Sequence, residues 1–156
     1  MIKNNYYYTK THEWACFDGD IVSVGLTDHA VHQLGDIVYL ELPTIETVVK
    51  QEKSFGVIES VKAASDIFSP VNGIVVESNT NLSSSLDLFQ KDPYEQAWII
   101  KVKVENPLDK TNLLCYNEYN KFINEEDKLW KLELILFRSP LAADLSYAKI
   151  LLMKNK

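Results

Sequence analysis

The feature that most constrains this chain is a series of strand-length apolar runs, each closed by a turn residue, through roughly the first 105 residues. Ala15-Cys16-Phe17, Asp18-Gly19 and Asp20-Ile21-Val22-Ser23-Val24 read as a hairpin, with Asp-Gly supplying the positive φ angles of a two-residue turn. Thr27 is placed to cap a short helix whose Ala30, Val31 and Leu34 form one buried side, and Gly35 to end it. Strand character returns over Asp36 to Leu42, Phe55 to Val61, Ser65 to Val71 and Ile74 to Val76, with Asn72-Gly73 as a turn signal. From Ala97 to Val104, Trp98, Ile100, Val102 and Val104 should share the buried face opposite Lys101 and Lys103. Beyond Pro107 the period changes, and Leu113, Leu114, Tyr119, Phe122 and Ile123 fit short amphipathic helices packed on a sheet. Many short strands with closing helices predict a compact β sandwich or barrel.

Composition narrows the function. Acidic residues outnumber basic ones, 22 to 16, for a net charge of -6, which argues against a nucleic-acid binder. The N-terminus lacks the marks of a signal or transit peptide, and no apolar stretch is long enough to span a bilayer. Cys16 and Cys115 lie far apart without a CxxC, so two reduced thiols are expected. His29 and His32 can share a helix face, but no convergent carboxylate or thiolate completes a site, and no metal is expected. No nucleophile–base pair, P-loop, GxGxxG or HExxH is present, so an independent enzyme is not expected.

The informative segment runs from Phe55 to Gly73, with Glu59-Ser60-Val61-Lys62-Ala63-Ala64-Ser65-Asp66 at its centre. Two strands flank Lys62, which places its ammonium at a hairpin tip in water. Val61 and Ala63 are compact and leave room for an enzyme to approach. A tethered cofactor needs these conditions: an exposed amine, a rigid platform and little bulk nearby. An ordinary turn lysine satisfies them equally, because exposed lysines abound.

The wider context strongly resembles the H-protein family of the glycine cleavage system. Thr9-Lys10-Thr11-His12-Glu13-Trp14 looks like that family's opening block. Gly25-Leu26-Thr27-Asp28, Gln33-Leu34-Gly35-Asp36-Ile37-Val38 and Glu41-Leu42-Pro43 look like its second. The Lys62 segment looks like its lipoylation block, followed by Ser69-Pro70-Val71-Asn72-Gly73. Asp92-Pro93-Tyr94, Trp98, Tyr119 and Lys121-Phe122 look like the closing blocks. Val61-Lys62-Ala63 also differs from the Met-Lys-Met of biotinyl carriers.

The resemblance implies a mainly β fold. It would be a lipoyl-domain-like barrel-sandwich hybrid of two small antiparallel sheets, with short helices chiefly near the C-terminus. It implies lipoate in amide linkage on Lys62, with Glu59, Val61 and Ala63 read by the lipoate-attaching enzyme. Glu13, Ser65 and Asp66 become candidates for a cleft that shelters the loaded arm, or else turn and cap residues of the hairpin. The implied role is a non-catalytic carrier. It takes an aminomethyl group from a pyridoxal-phosphate glycine decarboxylase, yields the methylene to a tetrahydrofolate-dependent aminomethyltransferase, and is reoxidised by dihydrolipoamide dehydrogenase. A monomer in the bacterial cytoplasm is expected, without nucleic acid or membrane. A lipoate relay serving other complexes and an unmodified interaction module with the same fold are the alternatives.

The chain departs from the family pattern at several customary glycines: Glu46, Gln51 or Glu52, Glu95 and Ala97 stand in their place. Each such position asks for a turn backbone that a side chain adopts less easily. The second departure is the tail. Residues 1–124 form the carrier domain and 125–156 an extension outside the resemblance. Leu129 to Leu134 alternates briefly. Leu141, Leu145, Ala148 and Leu152 could line a helix face, either packing on the sandwich or docking a partner or membrane surface.

Overall fold

The computed structural model describes residues 5–137. The chain divides into two compact units, Met1–Tyr119 and Asn120–Lys156. In chain order the elements are β1 (Tyr6–Tyr8), β2 (Glu13–Asp18), β3 (Ile21–Leu26), α1 (Asp28–Leu34), β4 (Ile37–Glu41), β5 (Val48–Val49), β6 (Ser54–Ser60), β7 (Ala64–Phe68) and β8 (Gly73–Ser78). A single 3-10 turn (Thr80–Ser84), α2 (Leu88–Lys91), β9 (Ile100–Lys103) and α3 (Tyr116–Phe137) follow.

Two antiparallel sheets result, one ordered β1-β2-β3-β9-β8-β5 and the other β4-β6-β7. One apolar cluster serves both: Val22, Val24, Val75 and Val102 from the larger sheet, Leu40, Ile58 and Ile67 from the smaller, with Val31 of α1 and Phe89 of α2. Each fully buried aliphatic side chain contributes about 1.5–3 kcal/mol. The mainly β architecture expected from the sequence is the observed one.

Several local expectations hold and others shift for identifiable reasons. The Thr27 side chain accepts from Ala30 N, and the Gly35 amide, at φ 74, closes on the Val31 carbonyl, so α1 has both predicted caps. In the first hairpin Asp18 pairs with Ile21, which makes the loop Gly19-Asp20, one residue later than read from Asp-Gly. Gly19 supplies the positive φ of 59°. Gly73 is not a turn residue but opens β8: a Cβ there would lie 2.2 Å from the Lys103 carbonyl oxygen, so only glycine permits that approach. Trp98 is half-buried beneath the Lys101 ammonium, 4.7 Å from its ring, and the buried alternation begins only at Ile100.

The helices expected after Pro107 differ as well. Leu114 exchanges two backbone hydrogen bonds with Tyr8, 2.9 and 2.7 Å, extending the sheet beside β1. The helix that follows is one continuous element of 22 residues. It absorbs the Leu129 to Leu134 alternation, because six residues are too few to fix a period and Leu, Lys and Glu favour helix. Trp130, Leu134 and Ile135 are exposed on it. Leu141, Leu145, Ala148 and Leu152 lie outside the described residues.

Two of the missing glycines leave a backbone signature. Glu46 sits at φ 72° and Glu52 at φ 66°, left-handed conformations that cost a side-chain-bearing residue energy. Each is held by its amide, Glu46 N donating to Val75 O (2.8 Å) and Glu52 N to Ser69 O (2.9 Å). Gln51, Glu95 and Ala97 show no positive φ. Glu46→Gly and Glu52→Gly are therefore expected to stabilise the protein by about 0.5–1 kcal/mol each, roughly 3 °C in Tm. Thermal unfolding followed by circular dichroism checks this, and a lower Tm would mean those loops do not hold the left-handed backbone.

Candidate functional site

Lys62 lies where the reading of the sequence put it, at the tip of the β6–β7 hairpin, in the three residues Val61, Lys62 and Ala63 between the strands. All three are exposed, Val61 at 66%. The hairpin register pairs Glu59 with Ala64, Ile58 with Ser65 and Val57 with Asp66. Glu59 is exposed, so the side chains assigned to enzyme recognition are all open to solvent.

The tip is held from beneath. Ser60 is buried, and its hydroxyl oxygen accepts the amides of Lys62 (3.1 Å) and Ala63 (3.2 Å). The same hydroxyl lies 3.3 Å from the Ala63 carbonyl, to which the Ser60 amide also donates at 2.8 Å. Val61 N donates to the Asp36 carbonyl (2.9 Å), which ties the tip to the end of α1. The Lys62 Cε and Nζ rest beside Gly35, 3.6 and 3.7 Å from where a Cβ would stand. There the negative end of the α1 dipole favours an ammonium. Sequence reasoning assigned no role to Ser60, although a serine just before a turn is a known signal for side-chain-to-backbone bonding.

Glu13 occupies a different setting. It is 2% exposed, and its carboxylate accepts from the hydroxyls of Thr9 and Thr11 and from the Phe68 amide at 3.0 Å. It thus links β2 of the larger sheet to β7 of the smaller. Burial pushes its pKa up, and the hydroxyl and amide donors oppose that rise without reversing it. Thr9, Thr11 and Phe68 line a groove of about 500 Å³ beside this carboxylate.

Ser65 and Asp66 are exposed neighbours in β7 and so point to opposite faces. The Ser65 hydroxyl donates to the Asp66 carbonyl, and Asp66 Oδ1 accepts from the Ser54 hydroxyl at 3.2 Å. An arm lying over one face of β7 meets one of the two. Glu13 joins β7 at Phe68, six residues from Lys62, roughly 20 Å along an extended strand.

A raised carboxylate pKa has a definite consequence for stability. The folded state then holds its proton more tightly than the unfolded state. The associated stability is present below the unfolded pKa, near 4.5, and is lost as pH rises through the folded value. Glu13→Gln keeps an acceptor for Phe68 N and removes the titration. The unfolding free energy of wild type minus that of Glu13→Gln is expected to fall as pH rises from 4.5. Urea unfolding from pH 4.5 to 8 measures the difference, and a flat curve would mean the carboxyl is not shifted.

Around α1 a second network accounts for the opening and closing blocks. Tyr119 OH lies 2.8 Å from His12 Nδ1 and 2.9 Å from Thr27 Oγ1. Tyr94 OH donates to the Asp28 carboxylate (2.7 Å), and Trp14 Nε1 donates to the Pro93 carbonyl (3.0 Å). His29 is half-buried and faces the His12 ring, 4.7 Å between centroids, rather than sharing a site with exposed His32. Neither Cys16 nor Cys115 is in a disulfide. No described helix is long and apolar enough to cross a membrane.

The chain matches the family model for the glycine cleavage H-protein over residues 6–126. It is 50% identical over 120 residues to the mitochondrial glycine cleavage system H protein 2 of Arabidopsis thaliana, covering 77% of each chain. To the glycine cleavage system H protein of Rubrobacter xylanophilus it is 44% identical over 126 residues, 81% of this chain and 98% of that one. The crystal structure of a glycine cleavage system H protein from Mycobacterium marinum superposes with a TM-score of 0.71 at 33% identity, covering 79% of this chain and 99% of the other. With Lys62 presented on a braced hairpin of the expected sandwich, a family model matched over residues 6–126, and a bacterial relative and a solved structure covered to 98% and 99% of their lengths, the chain belongs to the glycine cleavage H-protein family of non-catalytic lipoyl carriers.

Proposed function

We propose that Lys62 carries a lipoyl group in amide linkage and that the protein serves glycine decarboxylation as a mobile substrate. One observation carries this reading: an exposed ε-amine stands on a hairpin whose backbone is fixed by Ser60 and anchored to Asp36, just past α1. The site fits such a group, because Val61, Lys62 and Ala63 are exposed and no bulky side chain lies between them. Attachment joins Nζ to the carbonyl carbon of an activated lipoyl donor, an acyl-adenylate, with loss of the adenylate and of a proton from the amine. When bound, the dithiolane supplies the redox and group-carrying chemistry.

The chain's own residues hold and orient the arm. Glu59, Val61 and Ala63 present a recognition surface to the lipoate-attaching enzyme. Ser65 on one face of β7 or Asp66 on the other offers an exposed hydroxyl or a carboxylate to an ammonium-like amine. Glu13 supports the neighbouring groove through Thr9 and Thr11 rather than reaching into it. The partners in this reading are the pyridoxal-phosphate decarboxylase, the tetrahydrofolate-dependent aminomethyltransferase and dihydrolipoamide dehydrogenase, each meeting a monomeric carrier in turn. A bacterial cytoplasm suits cysteines that, like Cys16 and Cys115, form no disulfide.

The test is intact-mass analysis of protein from its native source, followed by assay with glycine decarboxylase. One lipoyl adduct on the Lys62 peptide, with glycine-dependent carbon dioxide exchange, supports the carrier reading. An adduct that transfers to other lipoyl domains without supporting exchange replaces it with a lipoate relay. Absence of any adduct overturns it in favour of an unmodified interaction module.

A further inference from the structure

We propose that Ser60 is a positioning residue for the modification of Lys62: its hydroxyl sets the tip conformation that the lipoate-attaching enzyme recognises. The inference rests on the reading of Lys62 as the attachment site. Strand pairing alone leaves the tip underdetermined. The last pair of the β6–β7 ladder is Glu59 with Ala64, and beyond it one backbone bond, Ser60 N to Ala63 O, closes the turn. The amides of Lys62 and Ala63 both turn inward to a side chain, the Ser60 hydroxyl oxygen. One buried oxygen therefore fixes the backbone on the residue that carries the amine and on the residue after it.

The serine is itself held in place. It is 9% exposed and lies opposite Ile37 in the β4–β6 register, next to the Val61 N to Asp36 O bond that moors the tip to the segment between α1 and β4. Its oxygen has a fixed direction, whereas water solvating the same two amides would not. An enzyme that must bring one ε-amine onto an activated carboxyl gains from a lysine whose Cα and backbone are preset. Without the hydroxyl, the two amides turn to water, the tip samples several conformers, and only a fraction of encounters present Nζ correctly.

The experiment uses full-length unmodified protein, a lipoate-attaching ligase, ATP and lipoate, with the rate read by intact mass. Wild type, Ser60→Ala, Ser60→Thr and Ser54→Ala are compared. Ser54 lies at the other end of β6 and makes two hydroxyl contacts of its own, to the Gly56 carbonyl and to Asp66. Ser60→Ala is expected to lower kcat/KM for attachment by about tenfold, the scale of one or two lost hydrogen bonds. Ser60→Thr, which restores the oxygen, should recover most of that loss, and Ser54→Ala should leave the rate unchanged. Thermal midpoints and exchange of the Lys62 and Ala63 amides are recorded alongside. Faster exchange confined to those two amides, in a protein that still melts cooperatively, supports a positioning role. Attachment by Ser60→Ala at the wild-type rate overturns the inference while leaving Lys62 as the site. Equal loss in Ser60→Ala and Ser54→Ala assigns the effect to general destabilisation and also overturns it. Failure of the wild type to accept lipoate is a different outcome, and it sinks the underlying reading of Lys62.

Discussion

Lys62→Ala is expected to abolish lipoyl attachment completely while shifting the unfolding free energy by no more than about 0.5 kcal/mol. The first half follows from the setting of the amine, which among the described lysines is alone in the β6–β7 turn. Lys53 is also exposed on the same hairpin, at the opposite end of β6, but it stands outside the β6–β7 turn and lacks the serine brace. The second half follows from burial: Lys62 is exposed, and its Cε and Nζ pass 3.6 and 3.7 Å from where a Gly35 Cβ would stand. Intact mass with peptide mapping reads attachment, and urea unfolding reads stability. An adduct that moved to Lys53 in the variant would show that the enzyme reads any accessible amine rather than this turn.

A second large effect is expected at Gly73. Its Cβ position lies 2.2 Å from the Lys103 carbonyl oxygen and 2.6 Å from Val102 Cγ1. Neither neighbour can yield easily. Lys103 belongs to β9, which is paired on both sides within the six-stranded sheet, and Val102 is fully buried. Gly73→Ala must push β8 away from β9 or break the ladder, at about 3 kcal/mol or more and roughly 10 °C in Tm. Gly19→Ala is the matched comparison. Its φ of 59° is unfavourable for alanine, but no atom stands within 4 Å, so only the conformational cost of about 1 kcal/mol applies. If the two variants lose the same stability, the close approach of β8 to β9 is not what keeps Gly73 a glycine.

These two positions bracket what could be read from the residues. The hairpin around Lys62 was legible because a turn between two apolar runs is a local pattern, whereas Glu46 and Glu52 stood out only against the glycines that the family resemblance implies, and Gln51, Glu95 and Ala97, singled out in the same way, adopt no positive φ. Gly73 was read as a turn residue because Asn-Gly usually is one, yet its need for glycine comes from a strand 30 residues further on, at Lys103. The run after Pro107 was split into short helices because amphipathic spacing says nothing about length. Leu114 was claimed instead by Tyr8 through backbone bonds.

The candidate site divides along the same line. Residue order by itself determined the mainly β class, the capped helix ending at Gly35, and the placing of Lys62 at a turn between two strands, all settled by neighbours a few positions apart, while the two-sheet arrangement followed from the family resemblance. Only the tertiary structure decided that Glu13 lies buried with its carboxylate on an amide 55 positions away, and that Ser60 rather than its exposed neighbours holds the tip. The physical reason is burial. Whether a carboxylate or hydroxyl faces water or a backbone amide depends on which distant strand comes to lie against it, and no short-range pattern carries that information.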